Sequence, residues 1–269
     1  MYINSHLHHY HGTEQQPIVS ALPQLLLAIP FVIALILYII AALCSNSNKP
    51  WPLHRTVCGC IGVVSAVIAV AGPLASLAHT NFVAHMLSHL LLGMLAPLLL
   101  VLAAPMTLLL KTLSIPLARR ITRILKSWPS RLLTHPLFTA LLNIGGLWLL
   151  YTTNLYSLMH ESVVLYLFIH IHIFIAGYLF TLSLLYIEPM PHRFSFVYRS
   201  IILILSLAGH GILSKMIYVQ PPDGVSLNQA KLGAMFMYYG GDMIDLLLIM
   251  ILCSHWFRAT RPRSDLSIH

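Results

Sequence analysis

Charge is what this sequence has least of. Of 269 residues, 15 are Lys or Arg and 7 are Asp or Glu, which is 8%, where a soluble domain carries about 25%. So few charges cannot cover a folded chain of this size with a wettable surface, and a soluble globular enzyme is excluded. A hydrophobic content of 58% excludes a disordered chain. The net charge of +8 does not point to nucleic acid, because on so apolar a chain basic residues report membrane orientation. Internal repeats, soluble domains and a His-Glu-x-x-His zinc motif are absent from the sequence. So are the alternating segments of about ten residues that a membrane barrel needs. No cleavable leader is expected either, since the first twenty residues hold no Lys or Arg and no suitable apolar core.

What is present is a set of seven apolar stretches: 22–44, 57–77, 82–110, 136–155, 162–187, 200–218 and 233–257. Their lengths predict spanning helices. The third is long and holds Pro97 and Pro105, which predicts a kink or tilt. The fold expected is an all-α integral membrane bundle of seven helices. Residues 1–21 form a His-rich external tail, 22–257 the bundle and 258–269 a basic tail. Thirteen of the fifteen basic residues fall in alternate connections and the C-terminal tail, leaving only Lys215 and Lys231 on the other side. That asymmetry puts the N-terminus outside and the C-terminus in the cytoplasm. Arg119, Arg120, Arg123 and Lys126 suit a short amphipathic helix on anionic lipid. Cys44, Cys58, Cys60 and Cys253 then map to the reducing side, so no disulfide framework is expected, and packing is favoured over metal binding at Cys58-Gly-Cys60.

Histidine is abundant, with 16 residues. At a rise of 1.5 Å per residue, His85 and His89 lie about 5 and 10 Å below the outer end of the third helix, and His170, His210 and Asp242 lie about 13 Å into theirs, with Asp245 deeper at about 18 Å. His79 and His160 stand at the outer mouths of their helices. Ionisable groups at such depth are costly and mark function, so their shared level in the outer half points to one site. His85 and His89 are spaced i, i+4 and share a face with room for one ion, with Met86 beside them; Asp242 and Asp245 share a face at i, i+3. His170 and His172 are i, i+2, so one of them is expected to face another helix or a carbonyl. Imidazole serves copper, zinc and iron, while thioether selects copper(I). Copper, as Cu(I), is the expected metal, and the ligand candidates are His79, His85, Met86, His89, His160, His170, His210, Asp242 and Asp245. His6, His8, His9 and His11 in the tail form a possible auxiliary capture site.

The run Ala84-His85-Met86-Leu87-Ser88-His89-Leu90-Leu91-Leu92, continuing to Ala96-Pro97 and Ala104-Pro105, resembles the signature of the CtaG-type caa3 cytochrome c oxidase assembly factors. So do His160 ahead of a helix, His170 within the next, and Tyr238-Tyr239-Gly240-Gly241-Asp242. The resemblance spans roughly residues 22–257. It implies a seven-helix inner-membrane protein of the respiratory chain, needed to build active oxidase. On that basis the expected function is that of a non-enzymatic membrane metallochaperone. It would deliver copper to a cytochrome c oxidase subunit, with membrane lipid as its other partner. Two alternatives stand beside it. His170 and His210 at matching depth would suit the axial ligands of a haem electron-transfer protein, and a copper or proton transporter would need polar groups continuing to the inner face.

Overall fold

Hydrocarbon offers a backbone no hydrogen-bond partner, so every apolar run of this chain closes its own bonds as a helix. The computed structural model describes residues 16–45 and 50–261; the histidines of the N-terminal tail lie outside them. Among the described residues there is no strand. The helices are α1 (Gln16–Cys44), α2 (Leu53–Val70), α3 (Pro73–Ala78), α4 (Phe82–Thr112), α5 (Ile115–Leu125), α6 (Trp128–Leu133), α7 (Pro136–Thr152), α8 (Leu155–Glu161), α9 (Val163–Leu185), α10 (Phe196–Val219) and α11 (Leu227–Thr260). Six of them (α1, α2, α4, α9, α10 and α11) are long and apolar enough to cross a membrane. The chain is a multi-pass membrane protein, and Leu37, Leu43, Phe168, Leu205 and Met243 stand on its exposed, lipid-facing surface.

The fourth expected span, 136–155, is a bent pair. α7 and α8 meet at 80°, because Thr153 is extended and Asn154 turns the chain before α8 begins. The second expected span also ends early. Gly72 takes a left-handed φ of 83° that favours glycine, and Pro73 starts the separate short helix α3. Starts elsewhere follow ordinary capping chemistry. The Asn81 side chain accepts from the Val83 and Ala84 amides, and Ser162 and Ser195 cap α9 and α10 in the same way.

α4 is the central element: 61% of its most apolar stretch is buried, against 17% for α1 at the periphery. It is not a uniform helix. A π turn covers Leu91–Leu95, ahead of Pro97, which has no N–H to give the Gly93 carbonyl and whose ring needs room there. At Ala104 the backbone turns left-handed (φ 52°) before Pro105 restarts it. α9 crosses α4 at Gly93 and Gly177, where a Cβ on Gly177 would run into the Gly93 carbonyl. α11 approaches through Gly233, which faces Phe82 and Met86, and through Gly240, which faces Leu90.

The basic end of the bundle holds buried polar groups that the sequence did not single out. The Glu188 carboxylate accepts from the Met106 and Thr107 amides at 2.7 and 2.8 Å and from the Thr107 hydroxyl, which caps the restarted end of α4. Arg199, also buried, donates to the Leu184 carbonyl and lies over the Tyr186 and Phe196 rings.

The glycine crossing yields a stability test. Gly177→Val should overpack the α4–α9 contact and cost about 1–3 kcal/mol, read as a lower melting temperature of detergent-purified protein. Gly145→Ala, with open space at its Cβ position, should melt close to the native protein.

Candidate functional site

The histidine-bearing ends of α4, α8, α9 and α10 build the site, and the structure divides it into levels. At the mouth, exposed His79 and His160 face each other edge to face with ring centroids 5.9 Å apart. His79 stacks on Tyr166, and the His160 Nδ1 is 2.8 Å from the Tyr156 carbonyl. Partial burial, and then the neighbouring His160, hold the His79 imidazole below its usual pKa, which keeps it neutral and available as a ligand at neutral pH.

One turn in, α4 presents His85 to α7. Its Nε2 is 3.0 Å from the Tyr151 hydroxyl, and its ring packs against Phe82 and Tyr156. On α9, His170 is buried with Nδ1 2.8 Å from the Tyr166 carbonyl.

The deepest level differs in kind. His89 is 4% exposed, and neither ring nitrogen has a hydrogen-bond partner; nor has Nε2 of His210, itself 4% exposed. The two rings lie 6.3 Å apart, centroid to centroid. Between them is a cavity of about 30 Å³ whose lining includes Met94, Asn143, Thr181 and Asp245. A cavity needs only about 10–15 Å³ of this kind to admit one water-sized occupant. A neutral imidazole carries one lone pair and one N–H, so His89 and His210 can each offer a single lone pair to one occupant. A buried nitrogen left unpaired costs about 1–3 kcal/mol, which calls for an occupant with vacant acceptor orbitals or protons to give. Gly241 makes the arrangement possible, since its Cβ would fall 2.5 Å from the His210 Cε1. That gives the Gly240-Gly241 pair a physical reason: α11 must close on Leu90 and on the His210 ring.

The candidate set is therefore not brought together at one point. Among the described residues no three His, Cys, Asp or Glu are grouped to hold a single metal ion. His85 and His89, one turn apart on α4, have different partners: Tyr151 for the first, the cavity shared with His210 for the second. Asp245 lines that cavity, but Asp242 is exposed. Met86 is wholly buried in the apolar core against Gly233, and Met94 is the thioether at the cavity instead. His172 is 3.2 Å from the Leu142 carbonyl, in a π turn of α7, with Gly146 leaving room for its ring. The four cysteines are free, with Cys44 and Cys253 exposed. Sequence reasoning missed Tyr151 and Asn143. Asn143 carried a signal, as the amide in the middle of the fourth apolar stretch, where Asn154 stands only at its end.

Residues 36–259 match the family model described as cytochrome c oxidase caa3 assembly factor. An uncharacterized protein of Mycobacterium leprae is 29% identical over 161 residues, which is 57% of this chain and 24% of that protein. Uncharacterized proteins of Mycobacterium bovis and Mycobacterium tuberculosis are each 29% identical over 160 residues, with the same coverage. The chain thus spans about a quarter of the length of the curated relatives it matches. No solved structure matches it.

The His85–Tyr151 contact is open to a direct check. Tyr151→Phe leaves the buried His85 Nε2 without its hydroxyl and should cost about 1–3 kcal/mol, measured by thermal unfolding in detergent. A melting temperature equal to that of the native protein would show that this bond contributes nothing.

Proposed function

This chain belongs to the cytochrome c oxidase caa3 assembly factor family, and from that membership we propose that it carries copper within the membrane to a cytochrome c oxidase subunit during assembly. The observation that supports copper as cargo is the deep cavity. Two buried imidazoles, each with an unpartnered nitrogen, a thioether and a carboxylate line a space for one small ion, and that mixture of nitrogen and soft sulfur suits Cu(I). The His79–His160 pair at the mouth serves as the receiving point. His85 lies between mouth and cavity, held in place by Tyr151. His89 and His210, with Met94, hold the ion, and Asp245 supplies a negative charge beside it. In this role only coordination bonds to the ion are exchanged and no substrate is converted to a product, so the protein acts as a chaperone rather than an enzyme.

The haem alternative fits the geometry less well, because the cavity beside His210 has room for an ion and not for a macrocycle. The orientation that suits a chaperone of the bacterial inner membrane puts the histidine mouth outside and the basic connections in the cytoplasm. Lipid is the second partner, through α5 with its Arg119, Arg120 and Arg123.

Metal analysis of the purified protein tests the copper role. The native chain should carry about one copper in the bundle, and His89→Ala or His210→Ala should lose it while remaining monodisperse. Cells carrying either variant should assemble an oxidase short of copper. If both variants keep full copper and support normal oxidase, the two histidines only pack helices. A periplasm-only reporter fused after His269 tests the orientation separately: activity there would invert the topology and put the mouth on the cytoplasmic side.

A further inference from the structure

The lipid side of α11 holds a group that the copper path does not use. Between Lys231 and Arg258 this helix has no Asp, Glu, Lys or Arg other than Asp242 and Asp245, so the hydrocarbon layer falls within that stretch. Asp242 stands near the middle of the helix, 15 residues after its start at Leu227 and 18 before its end at Thr260. Asp245 turns inward to the cavity, whereas Asp242 is exposed. Among the described residues Asp242 has no hydrogen bond and no ion pair, and the neighbour it acts on is Asp245, a second carboxyl group. A carboxyl group at that depth is costly, and such groups pair with a polar partner. A lipid tail has no donor to offer, so ordinary lipid leaves Asp242 unanswered.

The complement lies on the same face. α10 and α11 run side by side and antiparallel, with Gly211 facing Tyr238 and Gly241 facing His210. Toward the histidine end they enclose an open groove of about 410 Å³, lined by Lys215, Tyr218, Met235, Tyr238 and Tyr239 among others. Lys215 is exposed, and its Nζ lies over the Tyr238 ring, 5.5 Å from the centroid. Among the described residues it has no carboxylate in ion-pair reach. Helical side chains lean toward the N-terminus of their own helix. On antiparallel helices that brings these two together in depth: Lys215 leans toward the basic end and Asp242 toward the histidine end. Both reach the level of Tyr238, on neighbouring helices, without pairing inside the chain.

A two-fold axis along the membrane normal keeps each residue at its depth and sets α10 of one copy opposite α11 of the other. Each Lys215 then meets the Asp242 of the second copy, and two identical pairs form. The tyrosines between them are a residue type that carries binding energy at interfaces. We propose that the chain forms a two-fold dimer in the membrane through the α10–α11 face, closed by reciprocal Lys215–Asp242 pairs. This interface holds whether or not copper is the cargo of the His89–His210 cavity.

The test uses the full chain with a monomeric fluorescent protein fused after His269, reconstituted in liposomes over a range of protein densities and counted by single-molecule photobleaching. The native chain should pass from one bleaching step to two as density rises. Asp242→Leu and Lys215→Glu should each need about tenfold to a hundredfold higher density to pair, because each alters two contacts per dimer. Asp242→Leu also takes a carboxyl group out of hydrocarbon, so it should melt no lower than the native monomer, which separates lost pairing from misfolding. Lys215→Glu in one colour and Asp242→Lys in another should pair when mixed, since a doubly acidic face then meets a doubly basic one. A native chain that shows one step at every density would overturn the proposal. So would Asp242→Leu and Lys215→Glu proteins that pair as the native chain does, since the dimer would then use another face.

Discussion

The closeness with which α9 and α11 approach α4 sets everything else in this bundle. Lipid tails are as apolar as leucine, so helices in a membrane gain little from hiding apolar side chains from one another and rely on close backbone packing. Gly93 against Gly177 and Gly240 against Leu90 provide that closeness. A side chain at either crossing would push a helix outward and open the small cavity at His89. Pro97 takes part from within α4. It releases the Gly93 carbonyl from the helix ladder, and that carbonyl lies where a Gly177 Cβ would be. The π turn at Leu91–Leu95, between His89 and Pro97, is the local adjustment that absorbs the proline.

The same packing explains why the polar residues could be placed by depth from sequence but not by partner. Apolar run length and rise per residue are one-dimensional properties, and they located the spans and the level of His85, His89, His170 and His210. What faces a residue depends on the azimuth of the neighbouring helix, and that is set by crossings far away in sequence. The i, i+4 spacing of His85 and His89 suggested a chelating pair; the structure gives the first to Tyr151 of α7 and the second to the cavity at His210 of α10. Asp242 and Asp245 show the same effect, since three residues turn one outward and the other into the cavity. The sharp bend at Thr153–Asn154 was hidden because the apolar run continues on both sides of it. Nothing in the sequence marks Glu188 or Arg199 as buried. Their roles depend on the left-handed break at Ala104, which frees two amides, and on the Leu184 carbonyl.

The two polar ends of the molecule follow opposite rules. At the basic end the buried Glu188 and Arg199 each engage a protein partner, carboxylate with amides and guanidinium with a carbonyl and aromatic faces, while Arg199 Nε and His192 Nε2 are left without one. These contacts hold the end of α4 to the α9–α10 connection. At the histidine end satisfaction differs from ring to ring. His160 and His170 have carbonyl partners, His85 has a hydroxyl, and His89 has none. Unpartnered buried imidazoles are costly for stability alone, which would favour apolar residues in the same places, so the His89–His210 pair is the part of the fold least explained by folding.

For a carrier, a site of two imidazoles and a thioether has an advantage over a closed one. Tetrahedral sites with three or four strong protein ligands hold metal as part of the fold, with binding free energies of about 10–16 kcal/mol for structural zinc. A metal held so firmly leaves slowly. The division of the histidines into a surface pair, a tyrosine-held single ring and a buried pair keeps any three of them from closing on one ion. Under the proposed copper role each stage would bind with fewer ligands than a storage site, and the ion would move along α4 by exchanging one imidazole at a time. Tyr151 would serve that sequence by holding His85 in one orientation between mouth and cavity, and Gly241 by making room for the His210 ring.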